Sequence, residues 1–276
     1  MRVIVTGAGG QVGRALAARL PGATALTRAE LDVTDAAAFD WSRYDVVINA
    51  AAWTDVDGAE TPEGRRAAWH ANATGPAALA AAARRHGLLL VHYSSEYVFD
   101  GTAEKPYTED DPVAPLSAYG ASKAAGDLAV ASVERHYLLR PTWVVGEGRN
   151  FVTTMLGLAA RGIAPTVVAD QVGRPTFAAD VAAATVALLR ETAPYGTYHV
   201  TGTGEPASWA DVARAVFALA GSPLAITDTT TEEYVADRPH AAARPRNSVL
   251  DLGRAEAAGL PLAPWREGLA AYLSGS

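Results

Sequence analysis

The stretch RVIVTGAGGQVGRALAARL, residues 2–20, decides the fold. A continuous apolar run ends in a turn that carries Gly7, Gly10 and Gly13, and a helical pattern begins directly after it. Glycines let a turn close tightly and let the backbone approach a pyrophosphate, for which the helix N-terminus supplies free N–H groups. This order predicts a dinucleotide-binding unit. The spacing is GxxGxxG instead of the more common GxGxxG, and a plain tight turn is the alternative.

Apolar runs and helical patterns continue to alternate through the first half of the chain. The further strand candidates are TALTR (24–28), DVVINAA (45–51), LLLVHYSS (88–95) and HYLLRPTWV (136–144), and the helix candidates lie near 11–20, 63–86 and 117–134. The strand candidates are continuous apolar runs, as expected when both faces of a sheet are covered. Repeated βα units predict an α/β fold with a doubly wound, Rossmann-like parallel sheet.

The regular alternation of strand and helix patterns ends after about residue 146. Helix-like stretches at 151–162, 180–190 and 208–221 are separated by short strands and polar loops. We therefore expect two domains, with a smaller C-terminal substrate-binding lobe facing the carboxyl edge of the sheet. The predicted dinucleotide-binding domain covers 1–146 with a return of about 178–202, and the predicted lobe covers 147–177 and 203–276.

Composition excludes several classes of protein. The 276 residues carry a formal net charge of −7 and include no cysteine, which argues against a general nucleic-acid surface, disulfides and thiolate chemistry. No apolar run approaches the roughly 20 residues that a membrane helix needs, and Met1 leads directly into the first strand candidate. The sequence thus predicts a cytoplasmic protein without a signal peptide, a membrane partner or a nucleic-acid partner. No histidine cluster has metal-ligand spacing, so no metal is expected.

The end of the second strand candidate bears on the choice of cofactor. Arg28 stands where a site for NAD would place an acid for the ribose hydroxyl, and an arginine there suits a 2′-phosphate. This favours NADPH as the cofactor, with NADH as the alternative. Arg28 could equally be a solvated surface residue with no role in binding. Asp32 could lie beside the adenine or could cap the following short helix.

Tyr119 and Lys123 form the first candidate catalytic pair. They are spaced i, i+4 in PLSAYGASKAAGDLAV, so on a helix they share one face. A phenol with a pKa near 10 is a poor acid–base group at neutral pH, and a nearby ammonium lowers that pKa. A lysine can also bond the nicotinamide ribose. The alternative for an isolated YxxxK pair is a solvated helix face.

The stretch HYSSEYVFDG, residues 92–101, ends the fourth strand candidate in hydroxyl groups. Ligands of doubly wound sheets bind at the carboxyl edge, where these groups would lie. A reductase needs a hydroxyl that polarises the carbonyl of its substrate. We favour Ser95 for this role, with Ser94 packing or bonding to the backbone.

Motifs along nearly the whole chain resemble the extended short-chain dehydrogenase/reductases and, more narrowly, the dTDP-4-dehydrorhamnose reductase family. They read, in the order of the family, TGAGGQVG, ELDVTD, VINAAAWTDVDGAE, NATGP, HYSSEYVFDG, YGASK, RPTWVVGEGRNFV, DQVGRPT and RPRNSVLD. The resemblance implies that NADPH reduces the C4 ketone of dTDP-4-dehydro-L-rhamnose to give dTDP-L-rhamnose. It implies that Tyr119 donates a proton, that Lys123 lowers the pKa of Tyr119 and orients the ribose, and that Ser95 bonds the carbonyl oxygen.

The resemblance also implies two sets of binding residues. Those around the dinucleotide would be Gly10, Gln11, Val12, Asp32, Val33, Ala51, Ala52, Trp53, Tyr93 and Lys123, beside Gly7, Gly13 and Arg28 from the arguments above. Those near the sugar nucleotide would be Val56, Ser95, Glu96 and Trp143. A diphosphate needs fork-shaped donors, for which Arg174, Arg244 and Arg246 are candidates; each could equally be a surface charge. Trp143 could equally be part of the core.

Some positions depart from the family pattern. The strand end reads SSEYVFDG where STDYVFDG is usual, so Glu96 replaces an aspartate, and Trp53 replaces a tyrosine or histidine. Ala15 stands where some relatives carry a glutamate that holds magnesium in a dimer, so no such metal and a monomer or weak homodimer are expected. The rivals are a sister 4-ketoreductase for another dTDP-4-keto-deoxysugar, an epimerase or dehydratase, and a non-catalytic regulatory subunit.

Overall fold

The computed structural model describes residues 1–190 and 193–275. Its strands are β1 (Val3–Thr6), β2 (Thr24–Leu26), β3 (Val46–Asn49), β4 (Leu89–Tyr93), β5 (His136–Arg140), β6 (Val144–Val145), β7 (Thr166–Val168), β8 (Val172–Gly173), β9 (Thr176–Phe177), β10 (Gly196–His199), β11 (Ala207–Ser208) and β12 (Thr227–Thr229). Its α-helices are α1 (Gln11–Arg19), α2 (Pro62–Trp69), α3 (Gly75–His86), α4 (Ala118–Ala131), α5 (Phe151–Ala160), α6 (Ala178–Arg190), α7 (Trp209–Leu219), α8 (Thr231–Val235), α9 (Gly253–Ala257) and α10 (Trp265–Ser274).

The central sheet of the described residues has six strands in the order β10-β5-β4-β3-β1-β2. All neighbouring strands pair in parallel, so their carboxyl ends meet at one edge. Val3 and Val5 face a core that includes α1 and α6, whereas Ile4 faces a core that includes α3 and α4. Both faces are therefore covered, and the predicted doubly wound, Rossmann-like fold is confirmed.

The helix expected near 63–86 is interrupted. α2 and α3 are joined by a π-helical turn, His70–Thr74, whose Asn72 is completely buried. α4 packs directly on this turn, because a Cβ atom at Gly126 would lie 2.2 Å from the Asn72 carbonyl oxygen. A wider helical turn is a common device at functional sites, since it redirects a side chain without ending the helix.

The strand expected at 136–144 is also shorter than predicted. β5 ends at Arg140, before Pro141, and Trp143 has a φ of 45°. A non-glycine residue in this left-handed region ends an extended run. The short strand β6 then begins at Val144 and pairs with β9 instead of the central sheet.

The remaining elements form a second core at the carboxyl edge of the sheet. α5, α7, α10 and the short strands β7 and β9 bury a cluster that includes Val152, Phe217 and Trp265. This part meets the loop after β4, since a Cβ atom at Gly101 would lie 2.4 Å from Pro245. Within 178–202, α6 contacts α1 and β10 pairs with β5. The domain boundaries themselves remain a prediction. No helix in the described ranges is long and apolar enough to cross a membrane.

Candidate active site

The glycine turn brings two backbone segments into close contact. Gly7 has a φ of 70°, and a Cβ atom there would lie 2.4 Å from the Ala51 nitrogen. A Cβ atom at Gly13 would lie 2.2 Å from the Gly7 carbonyl oxygen, so α1 starts against the turn. Gly10 precedes α1, and no side chain of the described residues caps its first N–H groups. These donors and the helix dipole fit a pyrophosphate.

A cleft of about 330 Å³ opens beside this turn. Of the predicted cofactor residues, those lining it are Gly7, Gly10, Arg28, Asp32, Val33, Ala51, Ala52 and Trp53. Its wall also contains residues that the sequence analysis did not single out: Gly9, Thr27, Leu31, Thr34, Ala50, Ala67, His70 and Ala71. Small side chains dominate, so the shape of the cleft is set largely by backbone. The cradle fits an extended dinucleotide.

The other predicted cofactor residues lie around this cleft. Gln11 and Val12 open α1, and Val12 packs against the core. The Tyr93 side chain points away: it is buried against α6, and its hydroxyl bonds the Thr185 hydroxyl at 2.7 Å. Alternation along β4 sends this side chain into the core, whereas the Tyr93 carbonyl accepts from Lys123. The place of Tyr93 around the dinucleotide stays a prediction.

Arg28 and Asp32 lie together at the mouth of the cleft. The Arg28 Nε atom is 3.4 Å from Asp32 Oδ2, and the arginine side chain is 81% exposed. Asp32 also accepts hydrogen bonds from the backbone and hydroxyl of Thr34, which lower the pKa of its carboxyl. The two readings of Asp32 are compatible, since it caps a short helical turn and lines the cleft.

Asn72 is a positioning residue that sequence reasoning missed. Its side chain accepts from the Trp53 nitrogen at 2.8 Å and donates to the Trp53 carbonyl and the Ser122 hydroxyl. It thus ties the loop after β3 to α4. In the sequence, only the motif NATGP, residues 72–76, pointed to this residue. The π-helical turn shows why its amide faces inward.

Ser95 and Glu96 follow the end of β4 and are both buried. The Ser95 hydroxyl donates to Glu96 Oε2 at 2.6 Å and accepts from the backbone N–H of Tyr97 at 3.3 Å. Burial raises the pKa of Glu96 to about 7, and the hydrogen bond from Ser95 opposes that rise. Ser94, also buried, lies near Asp127 and acts to lower the pKa of that carboxyl.

Tyr119 and Lys123 lie on the buried face of α4. The helix begins at Ser117, whose hydroxyl accepts from the Gly120 nitrogen, and the Glu60 carboxylate accepts from the Ala118 nitrogen. A Cβ atom at Gly120 would lie 2.3 Å from the Tyr97 carbonyl oxygen, so this glycine brings α4 against the loop after β4. The Tyr119 ring meets that of Tyr97 edge-on at 5.4 Å.

Burial dominates the electrostatics of this pair. It raises the pKa of Tyr119, and Glu96 and Tyr97 raise it further, whereas the Ser95 hydroxyl lowers it. Burial lowers the pKa of Lys123 to about 8, and Asp127 acts in the opposite direction. The Lys123 ammonium donates to the Tyr93 carbonyl at 2.5 Å. The expected lowering of the Tyr119 pKa by Lys123 is therefore not what this arrangement produces.

A buried ion pair lies behind Lys123 on the same helix. Asp127 Oδ2 is 3.2 Å from the Arg140 guanidinium, and both side chains are less than a tenth exposed. Removing one partner of such a pair typically costs 3–5 kcal/mol because it leaves an uncompensated charge. The pair therefore anchors the carboxyl end of β5 to the helix that carries Tyr119.

The cleft and the catalytic cluster share a wall. Trp53 lines the cleft and packs with Val56 and Tyr97 around the small buried cluster that contains Tyr119. Val56 packs against the same cluster, and its place near the sugar stays a prediction.

Trp143 has the only positive φ among the non-glycine residues of the described chain. Its ring stacks on Trp209 with centroids 3.8 Å apart and an interplanar angle of 18°. A Cβ atom at Gly173 would lie 3.0 Å from the same ring. Strained backbone of this kind persists where surrounding contacts fix it, and it concentrates at ligand sites. Trp143 is thus packed and strained at once.

Arg244 and Arg246 line a second cleft of about 710 Å³, next to Lys105. Arg244 Nη2 donates to both carboxylate oxygens of Asp57, at 2.8 and 2.9 Å, and so links the loop after β3 to the C-terminal part. Arg174 differs: it donates to the carbonyl oxygens of Gly204 and Leu250 and lines another depression. The Arg174 donors hold backbone in this structure, and its place among the diphosphate ligands stays a prediction.

Within 1–190 and 193–275, no group of three or more histidine, aspartate or glutamate side chains is arranged to hold a metal ion. Ala15, the position at which some relatives carry a glutamate, is half-buried and packs against the core of the sheet.

The strand order, the glycine turn and the cluster of Ser95, Tyr119 and Lys123 at the carboxyl edge place the chain in the class of extended short-chain dehydrogenase/reductases. Residues 1–276 match the family model described as the RmlD substrate binding domain. The dTDP-4-dehydrorhamnose reductase of Streptomyces griseus is 43% identical over 97% of this chain and 91% of that protein. The chain belongs to the dTDP-4-dehydrorhamnose reductase family.

Two further relatives bear on cofactor and substrate. The crystal structure of dTDP-4-dehydrorhamnose reductase from Bacillus anthracis, in complex with NADP, is 34% identical, with a TM-score of 0.90 over 100% of this chain and 99% of that one. A probable dTDP-4,6-dihydroxy-2-methyloxan-3-one 4-ketoreductase of Streptomyces antibioticus is 43% identical over 98% of this chain and 93% of that protein.

Proposed function

We propose that the protein reduces the C4 ketone of dTDP-4-dehydro-L-rhamnose with NADPH, giving dTDP-L-rhamnose. The observation that carries this function is the convergence of Ser95 and Tyr119, both buried, beside the glycine-turn cleft. Three relatives that the chain matches over nearly its full length are named dTDP-4-dehydrorhamnose reductase.

The residues have separate tasks in this reaction. Bound NADPH supplies a hydride. The Tyr119 phenol, kept protonated by burial, gives its proton to the ketone oxygen as that oxygen becomes an alkoxide. The Ser95 hydroxyl bonds the same oxygen and stabilises its developing charge. Lys123 fixes the end of β4 through the Tyr93 carbonyl, and its charge favours an anion nearby.

The binding roles follow the two clefts. The pyrophosphate would lie on the N-terminus of α1, beside Gly7 and Gly10, and Arg28 would bond the 2′-phosphate of NADPH. Val56, Glu96 and Trp143 would border the sugar nucleotide. Arg244 and Arg246 would bind its diphosphate, in which case Arg244 exchanges Asp57 for the ligand.

The decisive experiment follows NADPH oxidation with dTDP-4-dehydro-L-rhamnose, prepared enzymatically from dTDP-glucose, and identifies the product by NMR. Rapid oxidation with formation of dTDP-L-rhamnose supports the function. Tight binding of NADPH without oxidation would instead point to a different keto sugar, or to a regulatory subunit that kept the fold.

A second candidate is a sister 4-ketoreductase that acts on another dTDP-4-keto-deoxysugar. It is favoured by the similarity to the Streptomyces antibioticus protein and by two unusual residues at the site, Trp53 and Glu96. The NMR spectrum of the product separates the candidates. NADPH oxidation that gives the C4 epimer of dTDP-L-rhamnose supports the sister 4-ketoreductase. An epimerase or dehydratase would leave NADPH unconsumed overall.

We propose that the protein is cytoplasmic and that it is a monomer or a weak homodimer. We further propose that it binds a dTDP-sugar and binds neither nucleic acid nor membranes. The net charge of −7 supports the absence of nucleic-acid binding. Light scattering after size-exclusion chromatography measures the mass, and a stable tetramer would contradict this part of the proposal.

A further inference from the structure

The direction of one hydrogen bond limits what Ser95 can do. A hydroxyl has a single proton to donate and two lone pairs with which to accept. The Ser95 oxygen lies 2.6 Å from Glu96 Oε2, so an ionised Glu96 takes that proton, and the Ser95 oxygen accepts the Tyr97 N–H at 3.3 Å. While its proton is held by Glu96, Ser95 has none to offer to a ketone oxygen.

Protonation of Glu96 resolves this conflict. A neutral carboxyl group donates its own O–H to the Ser95 oxygen across the same short contact, which reverses that bond. Ser95 then accepts from Glu96 and from Tyr97, which fills both lone pairs, and its proton is free. The freed proton points toward the Tyr119 phenol, which lies beside the Ser95 hydroxyl, and a ketone oxygen bound between the two hydroxyls can accept it.

We propose that Glu96 is a positioning residue that must be protonated for Ser95 to bond the ketone, so that its ionisation switches the reductase off. The inference rests on the proposed function and deepens it, because it assigns to Glu96 a role in turnover through Ser95. Glu96 keeps its proton throughout the reaction. The proton that the alkoxide receives comes from Tyr119.

The surroundings of Glu96 favour the neutral form. Its side chain is 3% exposed, and among the described residues no lysine or arginine forms an ion pair with it. The titratable groups facing it are Tyr97 on its own turn and Tyr119 on α4, both neutral. Charged groups lie farther out: Asp57 and Arg244 beyond Tyr97, and Lys123 with Asp127 along α4. Burial raises the pKa of Glu96 to about 7.

The experiment compares the pH dependence of kcat with dTDP-4-dehydro-L-rhamnose and saturating NADPH. For the wild type we expect a rate that is constant at low pH and falls about tenfold for each pH unit above about 7. Glu96→Gln carries an amide N–H that donates to Ser95 at every pH, so its rate should stay within a few-fold of its pH 6 value up to pH 8. Above pH 8 the Lys123 ammonium, whose pKa burial lowers to about 8, loses its proton in every variant, so the comparison is made between pH 6 and pH 8. The exposed Glu63→Gln serves as the matched control and should keep the wild-type profile.

Ser95→Ala distinguishes action through Ser95 from direct action on the substrate. If Glu96 works through the hydroxyl, Ser95→Ala and the double variant with Glu96→Gln should have the same slow rate and the same flat profile. A loss of rate above pH 7 that persists in Ser95→Ala but vanishes in the double variant would overturn the proposal. So would an unchanged profile in Glu96→Gln that still binds NADPH normally. Wild-type enzyme that is inactive at every pH would reject the proposed function itself.

Discussion

The cofactor cleft and the catalytic cluster lie side by side but are built in opposite ways. The cleft is lined by glycines, alanines and exposed polar residues, and its shape comes from backbone contacts of the kind that exclude a Cβ atom at Gly7 and Gly13. The cluster is built from side chains, and Ser95, Glu96, Tyr119 and Lys123 are each less than a tenth exposed. The cleft therefore binds its ligand through shape, whereas the function of the cluster depends on the protonation states of its side chains.

This contrast tells us which substitutions should separate the two regions. A change in the cluster that keeps volume should alter chemistry and leave cofactor binding intact, since the cleft does not depend on protons. A change that adds one carbon at Gly7 or Gly13 should alter binding and stability, because the neighbouring backbone leaves no space for it. Substitutions in the cleft and in the cluster therefore test how far the two regions act separately.

The largest effect is expected for Tyr119→Phe. The ring and its edge-on contact with Tyr97 would remain, but the proton donor would be lost. General acid catalysis contributes about 10²–10⁴-fold, so kcat should fall by that factor. NADPH affinity, measured by fluorescence titration, should change less than about threefold, which is the size of effect expected for a substitution outside the binding site. Comparable losses in affinity and rate would show that the cluster also shapes the cleft.

The second effect concerns the stability of the protein without ligand. The pKa of Glu96 is raised from its ordinary 4.5 to about 7, so the folded state holds a proton that the unfolded state releases. Its contribution is fully present below pH 4.5 and is lost as the pH rises through 7, up to about 3 kcal/mol. Denaturant unfolding at pH 5 and pH 8 should show that the wild type loses more stability than Glu96→Gln. Equal losses would place the Glu96 pKa near its ordinary value.

The third effect tests the backbone character of the cleft. A Cβ atom at Gly13 would lie 2.2 Å from the Gly7 carbonyl oxygen, so Gly13→Ala should destabilise the protein by about 1–3 kcal/mol and weaken NADPH binding. Gly9→Ala is the matched control for stability in the same turn, because its nearest neighbour, Thr27 Cγ2, is 4.0 Å away. Equal unfolding midpoints for both variants would contradict the close packing.

The same contrast explains what could be predicted from the sequence. The apolar runs and the glycine turn depend on local patterns, and the fold they predicted is confirmed, including coverage of both sheet faces. Tyr119 and Lys123 share a helix, so their spacing sufficed to place them together. The rule that parallel strands meet their ligand at one edge predicted a role for Ser94 or Ser95, and the family resemblance supported the choice of Ser95.

What the sequence could not supply depends on contacts between distant segments. The inward amide of Asn72 needs α4 to pack on a π-helical turn, and the burial of the Tyr93 side chain against α6 depends on the exact residue at which β4 begins. Arg174 and Arg244 look alike in sequence, but one donates to backbone and the other to Asp57. The direction of the Ser95 hydrogen bond appears only when burial and geometry are known together.

The smallest effect is expected at Arg28, which we propose bonds the 2′-phosphate of NADPH. Its guanidinium is exposed and already pairs with Asp32, so an added contact with the 2′-phosphate of NADPH gains little. Arg28→Ala should raise the KM for NADPH roughly two- to fivefold. The KM for NADH should stay unchanged, since that cofactor lacks the phosphate, and kcat should stay unchanged with both. The exposed Arg43→Ala is the control for loss of a positive charge elsewhere. An equal rise in KM for both cofactors would mean that Arg28 supports the shape of the cleft and does not read the phosphate.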